Sequence, residues 1–291
     1  MSLSVQLGLA LALATAFSSV LGFLYKHRGA VASPLVELRR PISTSLALFR
    51  SGWYVLGLMI ATASWGLHVA ALSLAPISLV QSVIAGGLVL LTVTADRLFA
   101  HEVTRREWIG VALAALGLAF LAATLSGTGS EAHSDYQVAR LVPWIAGVAA
   151  LAALAATASA RSANTGALLG ASAGLFWAAS DTSIKALSGQ LGDGAAAVLA
   201  NPLAGVIALA SAAGLVVSAR SLQLGKAVPV IAITSVAANV FTIAAGPVVF
   251  GEPLPDTSLG VIVRILAFGL VIAAAALTPA PVHAVEAEAP G

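Results

Sequence analysis

Long apolar runs bounded by charged or turn-forming residues dominate this sequence and leave little room for any fold but a bundle of membrane helices. A helix needs about 20 apolar residues to cross the hydrocarbon core of a bilayer. Runs of about this length recur along the whole chain. The nine predicted spans cover residues 3–25, 52–74, 77–96, 107–125, 141–160, 165–187, 202–219, 227–250 and 258–278.

The charge content excludes a soluble protein. Of 291 residues, 59% are hydrophobic and only 9% are charged, whereas an ordinary soluble domain carries about a quarter charged residues. The fourteen Lys and Arg and twelve Asp and Glu are too few to solvate the surface of a globule of this size. We therefore expect an all-α polytopic membrane protein whose main partner is the lipid bilayer.

Several functional classes lack their sequence signature. The chain holds no cysteine, which excludes disulfides, thiolate metal sites and cysteine nucleophiles. No phosphate-binding loop, dinucleotide fingerprint, zinc-protease motif or calcium-binding loop occurs in it. A net charge of +2 gives no reason to expect a nucleic-acid partner. We expect no enzyme activity, no cofactor and no resident metal.

The basic residues predict an orientation. If the N-terminus lies outside, 11 of the 14 fall in cytoplasmic loops, as the positive-inside rule requires, and the C-terminus is cytoplasmic. These eleven are Lys26, Arg28, Arg39, Arg40, Arg50, Arg97, Arg105, Arg106, Arg161, Arg220 and Lys226. The preference for arginine over lysine, with abundant Ala, Gly and Val, indicates a GC-rich bacterial genome and hence the bacterial inner (plasma) membrane.

Two four-helix repeats are predicted. At an offset of 150, residues 71–75 align with 221–225 and residues 99–102 with 249–252, while at an offset of 159 Lys26 aligns with Lys185. Spans one to four thus correspond to spans six to nine. The single spacer helix between them places the second unit upside down, an arrangement that many secondary transporters use to expose one site to either side in turn.

The boundaries follow from this count. The first repeat covers residues 1–125, the external linker and spacer helix 126–163, the second repeat 164–278 and a disordered cytoplasmic tail 279–291. Residues 31–50 within the first repeat are too charged to span, and Pro34 and Pro41 break them. They predict a basic interfacial segment, with a tenth membrane-embedded helix as the alternative.

The repeat carries a resemblance to a known family. The repeat resembles the drug/metabolite transporter (DMT) superfamily with its EamA-type repeats in three features. One helix ends in Leu-x-Leu-Ala/Gly, the next ends in Phe-x-x-Glu, which is clearest at Phe99 to Glu102, and the last begins near a Gly. That superfamily usually has ten helices, and this chain lacks the second helix of the first half. The layout, with a basic loop after the first helix and Lys185 late in the sixth, is closest to the NIPA-like magnesium transporter branch.

Span six carries the sharpest candidate for a transport site. Asp181 is an acid placed well within a span, where a charge needs a partner or a water-filled cavity. Trp177 lies one helical turn before it and Lys185 one turn after it. Two readings stay open, namely a structural i, i+4 ion pair of Asp181 with Lys185 and a proton or cation site.

Other polar residues inside the predicted spans extend the candidate site. His68 shares a helix face with Trp65 on span two, and Arg264 lies in the middle of span nine. Each has a structural alternative, in helix packing or in hydrogen bonding to backbone. Polar stripes on the repeat-related spans three and eight contain Gln81, Ser235, Asn239 and Thr242.

The leading hypothesis is a secondary transporter or facilitator of the drug/metabolite type that moves a small solute by alternating access. One alternative is a NIPA-like permease for Mg²⁺ or another divalent cation. Another, of a different class, is a non-transporting membrane partner or a lipid-handling protein that binds headgroups through Arg264 and residues 31–50. Proton coupling and assembly as a homodimer are both compatible with this sequence.

Overall fold

The computed structural model describes residues 2–37, 40–86, 134–225 and 227–277, with seven isolated positions between 105 and 120. This part of the chain is all-helical and holds ten α-helices. They are α1 (Leu3–Val31), α2 (Pro41–Ser45), α3 (Gly52–Leu74), α4 (Ile77–Gly86), α5 (Val138–Ser159), α6 (Thr165–Ser188), α7 (Ala195–Ala200), α8 (Pro202–Leu224), α9 (Ala227–Val249) and α10 (Ser258–Leu277). Short 3₁₀ helices cover Leu46–Arg50 and Leu191–Asp193.

Four of these helices, α1, α3, α5 and α8, are long and apolar enough to cross a membrane. The finding rests on length and composition, and it indicates a membrane-embedded protein. Helices α6, α9 and α10 occupy the ranges predicted for the sixth, eighth and ninth spans. The third predicted span is described only as far as Gly86, and the fourth lies almost wholly outside the described residues.

Two predicted span ends are wrong. Helix α1 continues six residues past the predicted end at 25, so Lys26 lies inside the helix and is buried. Helix α8 continues to Leu224, five residues past the predicted end at 219. In both cases we expected a basic residue to end the span, whereas a helix whose flank is packed against neighbours retains its hydrogen bonds through that residue.

The segment at residues 31–50 does not form a long helix where it is described. Helix α2 and the 3₁₀ helix Leu46–Arg50 have five residues each, far fewer than a span requires. Glu102, which marks the first repeat, the tail 279–291 and most of the external segment 126–137 lie outside the described residues.

Glycines let the helices approach closely. Helix α1 packs antiparallel to α3, and a Cβ at Gly22 would lie 3.1 Å from the carbonyl oxygen of Gly57. Helix α6 packs against α8 and α9, and a Cβ at Gly174 would lie 2.9 Å from Ala237 Cβ. The small-xxx-small spacing of Gly166, Gly170 and Gly174 therefore serves helix packing, as its sequence indicates.

Helix α6 lies at the centre of the described bundle. It packs against α5, α8 and α9, and it also reaches α3. The short helix α4 packs against α9 and α1, which ties the N-terminal part of the chain to the C-terminal part. One buried apolar cluster includes Val5 of α1, Leu72 of α3, Val80 of α4, Ile184 of α6 and Val249 of α9. Polar groups inside this bundle are thus enclosed on several sides.

Candidate functional site

A polar cavity lies where α1, α3, α4, α6 and α9 meet. Its volume is about 170 Å³, enough for a small solute headgroup or several waters. Polar and aromatic side chains from all five helices line it. The lining residues with a polar or aromatic side chain are Thr15, Ser19, Phe23, Lys26, Ser64, Trp65, His68, Gln81, Trp177, Asp181, Thr234, Ser235 and Asn239.

Asp181 joins three helices through its carboxylate. Its Oδ1 lies 3.1 Å from His68 Nε2, and its Oδ2 accepts a hydrogen bond of 3.1 Å from Gln81 Nε2. The side chains of His68 and Asp181 are 9% and 14% exposed. The sequence leaves open an ion pair of Asp181 with Lys185, whereas in the structure the side-chain partners of Asp181 are His68, from α3, and Gln81, from α4.

His68 can exist in two protonation patterns here. With hydrogen on Nε2, the imidazole donates to ionised Asp181, and Nδ1 carries a lone pair and no hydrogen. With a proton on Asp181, the single lone pair of Nε2 accepts from the carboxyl group or from Gln81 Nε2, which lies at 3.4 Å. His68 Nδ1 is buried without a hydrogen-bond partner in the described part of the structure. The second pattern holds one proton more than the first, because an imidazole whose Nε2 accepts must carry its hydrogen on Nδ1. The pair can therefore take up one proton with little change in geometry.

Two tryptophans form one wall of the cavity. Trp65 lies on the same face of α3 as His68, and Trp177 lies one turn before Asp181 on α6. Trp177 Nε1 is buried and finds no acceptor among the described residues. An indole N–H is a donor only, and buried ones usually find a partner, so this group has capacity for a ligand oxygen.

Serine and asparagine side chains of α1, α3 and α9 also line the cavity. Ser235 and Asn239 of α9 line it, as the polar stripe on span eight predicts. On the α1–α3 side, Ser19 Oγ lies 2.7 Å from Ser64 Oγ, which donates 3.0 Å to the carbonyl of Thr15. Thr15, Ser19 and Ser64 are functional candidates that sequence reasoning missed, because short hydroxyl side chains in apolar helices are too common to single out.

Lys26 is the most consequential residue that sequence reasoning missed. It is 4% exposed, lines the cavity, and places Nζ 4.1 Å from the centroid of the Phe23 ring. We assigned it to a loop because the first span was predicted to end one residue earlier. Its alignment with Lys185 at the repeat offset was the signal that could have identified it.

Three of the predicted site residues do not line the cavity. Thr242 Oγ1 donates 2.7 Å to the carbonyl oxygen of Ala238 within its own helix. Lys185 Nζ donates to the carbonyl oxygens of Leu72 and Ala75 at the end of α3, at 2.7 and 2.9 Å. Arg264 Nη1 donates 2.8 Å to the carbonyl oxygen of Pro253.

Lys185 and Arg264 instead belong to a buried charged cluster around Glu252. Glu252 is 6% exposed and accepts a 3.4 Å hydrogen bond from the backbone N–H of Ser78, in the first turn of α4. Lys185 and Arg264 both interact with it electrostatically. The cluster thus covers the junction of α3 and α4, where it satisfies backbone groups at two helix ends.

A second, apolar cavity adjoins the first. It has a volume of about 570 Å³ and runs between α3 and α8, with α6 and α7 along its sides. Lys26, Ala61, Trp65 and Trp177 line both cavities, so the two meet at the tryptophans. We call this second space the apolar groove. Its remaining walls are almost all aliphatic.

Seven of the ten predicted site residues therefore come together in one cavity: His68, Trp65, Gln81, Trp177, Asp181, Ser235 and Asn239. Among the described residues no group of three or more His, Cys, Asp and Glu side chains has the arrangement to hold a metal ion. Compared with known proteins, the chain matches no family model, no curated protein and no solved structure. The case for any function therefore rests on the geometry of this cavity.

Proposed function

We propose that the protein is a secondary transporter or facilitator of the drug/metabolite type, which moves a small solute across the membrane by alternating access. The cluster of Asp181, His68 and Gln81 carries the proposal. Buried ionisable groups in membrane helices are costly, and they commonly mark substrate or proton pathways. This cluster joins α6 to α3 and α4, and it faces a cavity rather than a packed core.

The helix directions support a pair of inverted units. The N-terminal part of α1 lies against the end of α3, since a Cβ at Gly8 would meet Ala75 Cβ at 2.9 Å. The end of α6 lies there too, because Lys185 bonds to the same end of α3. Helices α1 and α6 therefore run in opposite directions. With α3 and α8 as their respective partners, the two hairpins match the inverted repeats that we propose.

The same contacts suggest how the ends of the bundle differ. At the end where α3 finishes, Lys185 ties α6 to α3 through two backbone carbonyls. At the opposite end its repeat-mate Lys26 lies along the cavities instead. The repeat-related helices α1 and α6 thus make different contacts at the two ends of the bundle. If α1 took up the contacts of α6 and α6 those of α1, one end of the bundle would open and the other would close.

A proton is the coupling ion that the cluster suits best. Asp181 and His68 are two groups that can carry a proton and lie in contact at 3.1 Å, and His68 Nδ1 has no hydrogen-bond partner among the described residues. A metal ion is a poorer fit, because both oxygens of Asp181 already accept hydrogen bonds and Mg²⁺ requires several oxygen ligands in octahedral geometry. The NIPA-like alternative would need passage of the hydrated cation, which a radiotracer Mg²⁺ flux would reveal.

Solute flux into proteoliposomes tests the proposal. Purified full-length protein is reconstituted, a pH gradient is imposed, and uptake of a panel of labelled amino acids, organic acids and organic amines is measured. We expect gradient-dependent accumulation of at least one solute. Asp181→Asn removes the ionisable partner of His68, so accumulation should fall by roughly tenfold or more.

Asp193→Asn is the matched control, because Asp193 is an exposed acid outside the cavity and should leave uptake unchanged. Flux equal to that of empty liposomes for every solute, including Mg²⁺, would reject the transport function. Gradient-driven uptake that survives in Asp181→Asn would remove Asp181 from the coupling mechanism.

A further inference from the structure

The charge of Lys26 is not neutralised within the described structure. Its ammonium group lies over the Phe23 ring, which is a weak partner for a buried cation. None of the described carboxylates lies within 4.0 Å of Lys26 Nζ, and the carboxylate of Asp181 contacts His68 instead. A buried charge without an ionic partner is costly, so an anion placed beside it is strongly favoured.

The acid of the cavity is already engaged. Each oxygen of Asp181 contacts a side-chain nitrogen, that of His68 or that of Gln81. Lys26 Nζ and the buried Trp177 Nε1 are donors without a hydrogen-bond partner among the described residues, and both residues line the junction of the polar cavity with the apolar groove. The site therefore presents positive charge and donors to a ligand, rather than a free carboxylate.

The apolar groove continues from this junction. Ala204 and Leu215 both line it and lie eleven residues apart on α8. At 1.5 Å per residue the groove is therefore about 16 Å long. Most of its wall side chains, such as Leu58, Ile207 and Leu187, offer no hydrogen-bond partners to a ligand. Such a channel fits an extended hydrocarbon or an aromatic body.

We propose that the site binds an amphipathic organic anion, with its carboxylate on Lys26 and Trp177 Nε1 and its apolar body in the groove. The inference deepens the proposed transport function, on which it rests for calling this ligand a substrate. It names a substrate class of opposite charge to the divalent cation that the NIPA-like resemblance implies. Binding can be measured without transport, so the two proposals can fail separately.

The test compares ligands of equal chain length and opposite charge. Full-length protein in nanodiscs of zwitterionic lipid is titrated with dodecanoate, with dodecyltrimethylammonium and with acetate, and binding is read from thermal unfolding. Partition into lipid is common to all variants, so differences between variants report the site. We expect dodecanoate to bind the protein roughly tenfold more tightly than the cation, and acetate to bind weakly.

Three variants locate the two parts of the ligand. Lys26→Gln should weaken dodecanoate binding by roughly tenfold or more, whereas Lys26→Arg should retain it. Ala212→Phe, which fills the groove, should weaken dodecanoate and leave acetate unchanged. Arg28→Gln is the matched control, because Arg28 is exposed and lies over the Trp53 ring outside both cavities.

Equal affinity for the two dodecyl ligands, or dodecanoate binding that Lys26→Gln and Ala212→Phe leave unchanged, would overturn the inference. Dodecanoate binding with no flux of any solute would reject the transport proposal and retain the anion site. Proton-coupled flux of a cation that is insensitive to Lys26→Gln would reject the anion site and retain transport.

Discussion

Individual polar residues in this protein acquire their roles from partners on other helices. From the sequence, Asp181 is a candidate for a structural i, i+4 ion pair with Lys185 on its own helix. In the structure the carboxylate contacts His68 and Gln81, from two other helices, and Lys185 bonds to backbone at the end of α3. A difference of one helical turn along α6 thus separates the cavity from a structural contact.

Glu252 illustrates a buried acid with a structural role. It lies in the connection between α9 and α10, and burial raises its pKa above the ordinary value of 4.5, against the opposing effects of Ser78 and Lys185. Since the pKa is higher in the folded state, Glu252 contributes stability below pH 4.5 that is lost as pH rises through the raised pKa. Arg264, the other charge near it, keeps its charge over this range.

We therefore expect wild-type protein to lose stability relative to Glu252→Gln as pH rises from about 4 towards neutrality. Glutamine carries no titrating proton, so the variant supplies the reference at each pH. The measurement is the difference in Tm between the two proteins in detergent at a series of pH values. A difference that grows in favour of the wild type with rising pH would contradict the assignment.

At the scale of the helices, small residues and caps decide how elements end and pack. Asn201 Oδ1 accepts a 2.9 Å hydrogen bond from the N–H of Leu203, and Pro202 occupies the first turn of α8. Asn201 therefore caps α8, and the proline stands where a helix has no need of its backbone N–H. Lys26, by contrast, does not end its helix. We predicted that α1 ends just before this basic residue, but the helix continues past it.

Of the glycines on the face of α6 that packs against α9, Gly174 should tolerate replacement least. An added Cβ would approach the backbone of α9, at 3.0 Å from the nitrogen of Ala238, so the helices would have to separate. We expect Gly174→Ala to reduce stability by about 1–3 kcal/mol, the usual cost of overpacking a core.

The matched substitution is Gly147→Ala on α5, where an added Cβ would meet nothing within 4 Å. Alanine favours a helix over glycine by roughly 0.8–1 kcal/mol, so this variant should be neutral or more stable. Thermal unfolding in detergent compares the two. Equal stability of both variants would show that the contact of α6 with α9 yields without cost.

At the scale of the whole molecule, the proposed topology can be tested directly, because the chain contains no cysteine and every introduced thiol is unique. Ala163→Cys and Gly192→Cys flank the two ends of α6 at exposed positions. With the N-terminus outside, Gly192→Cys should react with a membrane-impermeant maleimide in intact cells. Ala163→Cys should react only after the membrane is permeabilised. Labelling of both from the same side would contradict a membrane-spanning α6.

Much of the helical content is predictable from the sequence, because an apolar run of span length in a chain with so few charges has few alternatives to a helix. The ranges predicted for the second and sixth spans agree with α3 and α6 to within one residue. Seven site residues were likewise identifiable, since a polar side chain inside an apolar run requires a partner. Ser19, Ser64 and Lys26 were missed, because nothing local distinguishes them.

The apolar runs thus determined by themselves where the long described helices lie and most of the polar groups that must be accommodated inside the bundle. Only the tertiary structure decided the partners of those groups, because hydrogen bonds act over about 3 Å and connect residues as far apart in sequence as Gln81 and Asp181. It also decided that Lys26, rather than Lys185, lines the cavity. Sequence spacing specifies a helix face, but the neighbour of that face depends on how the helices pack.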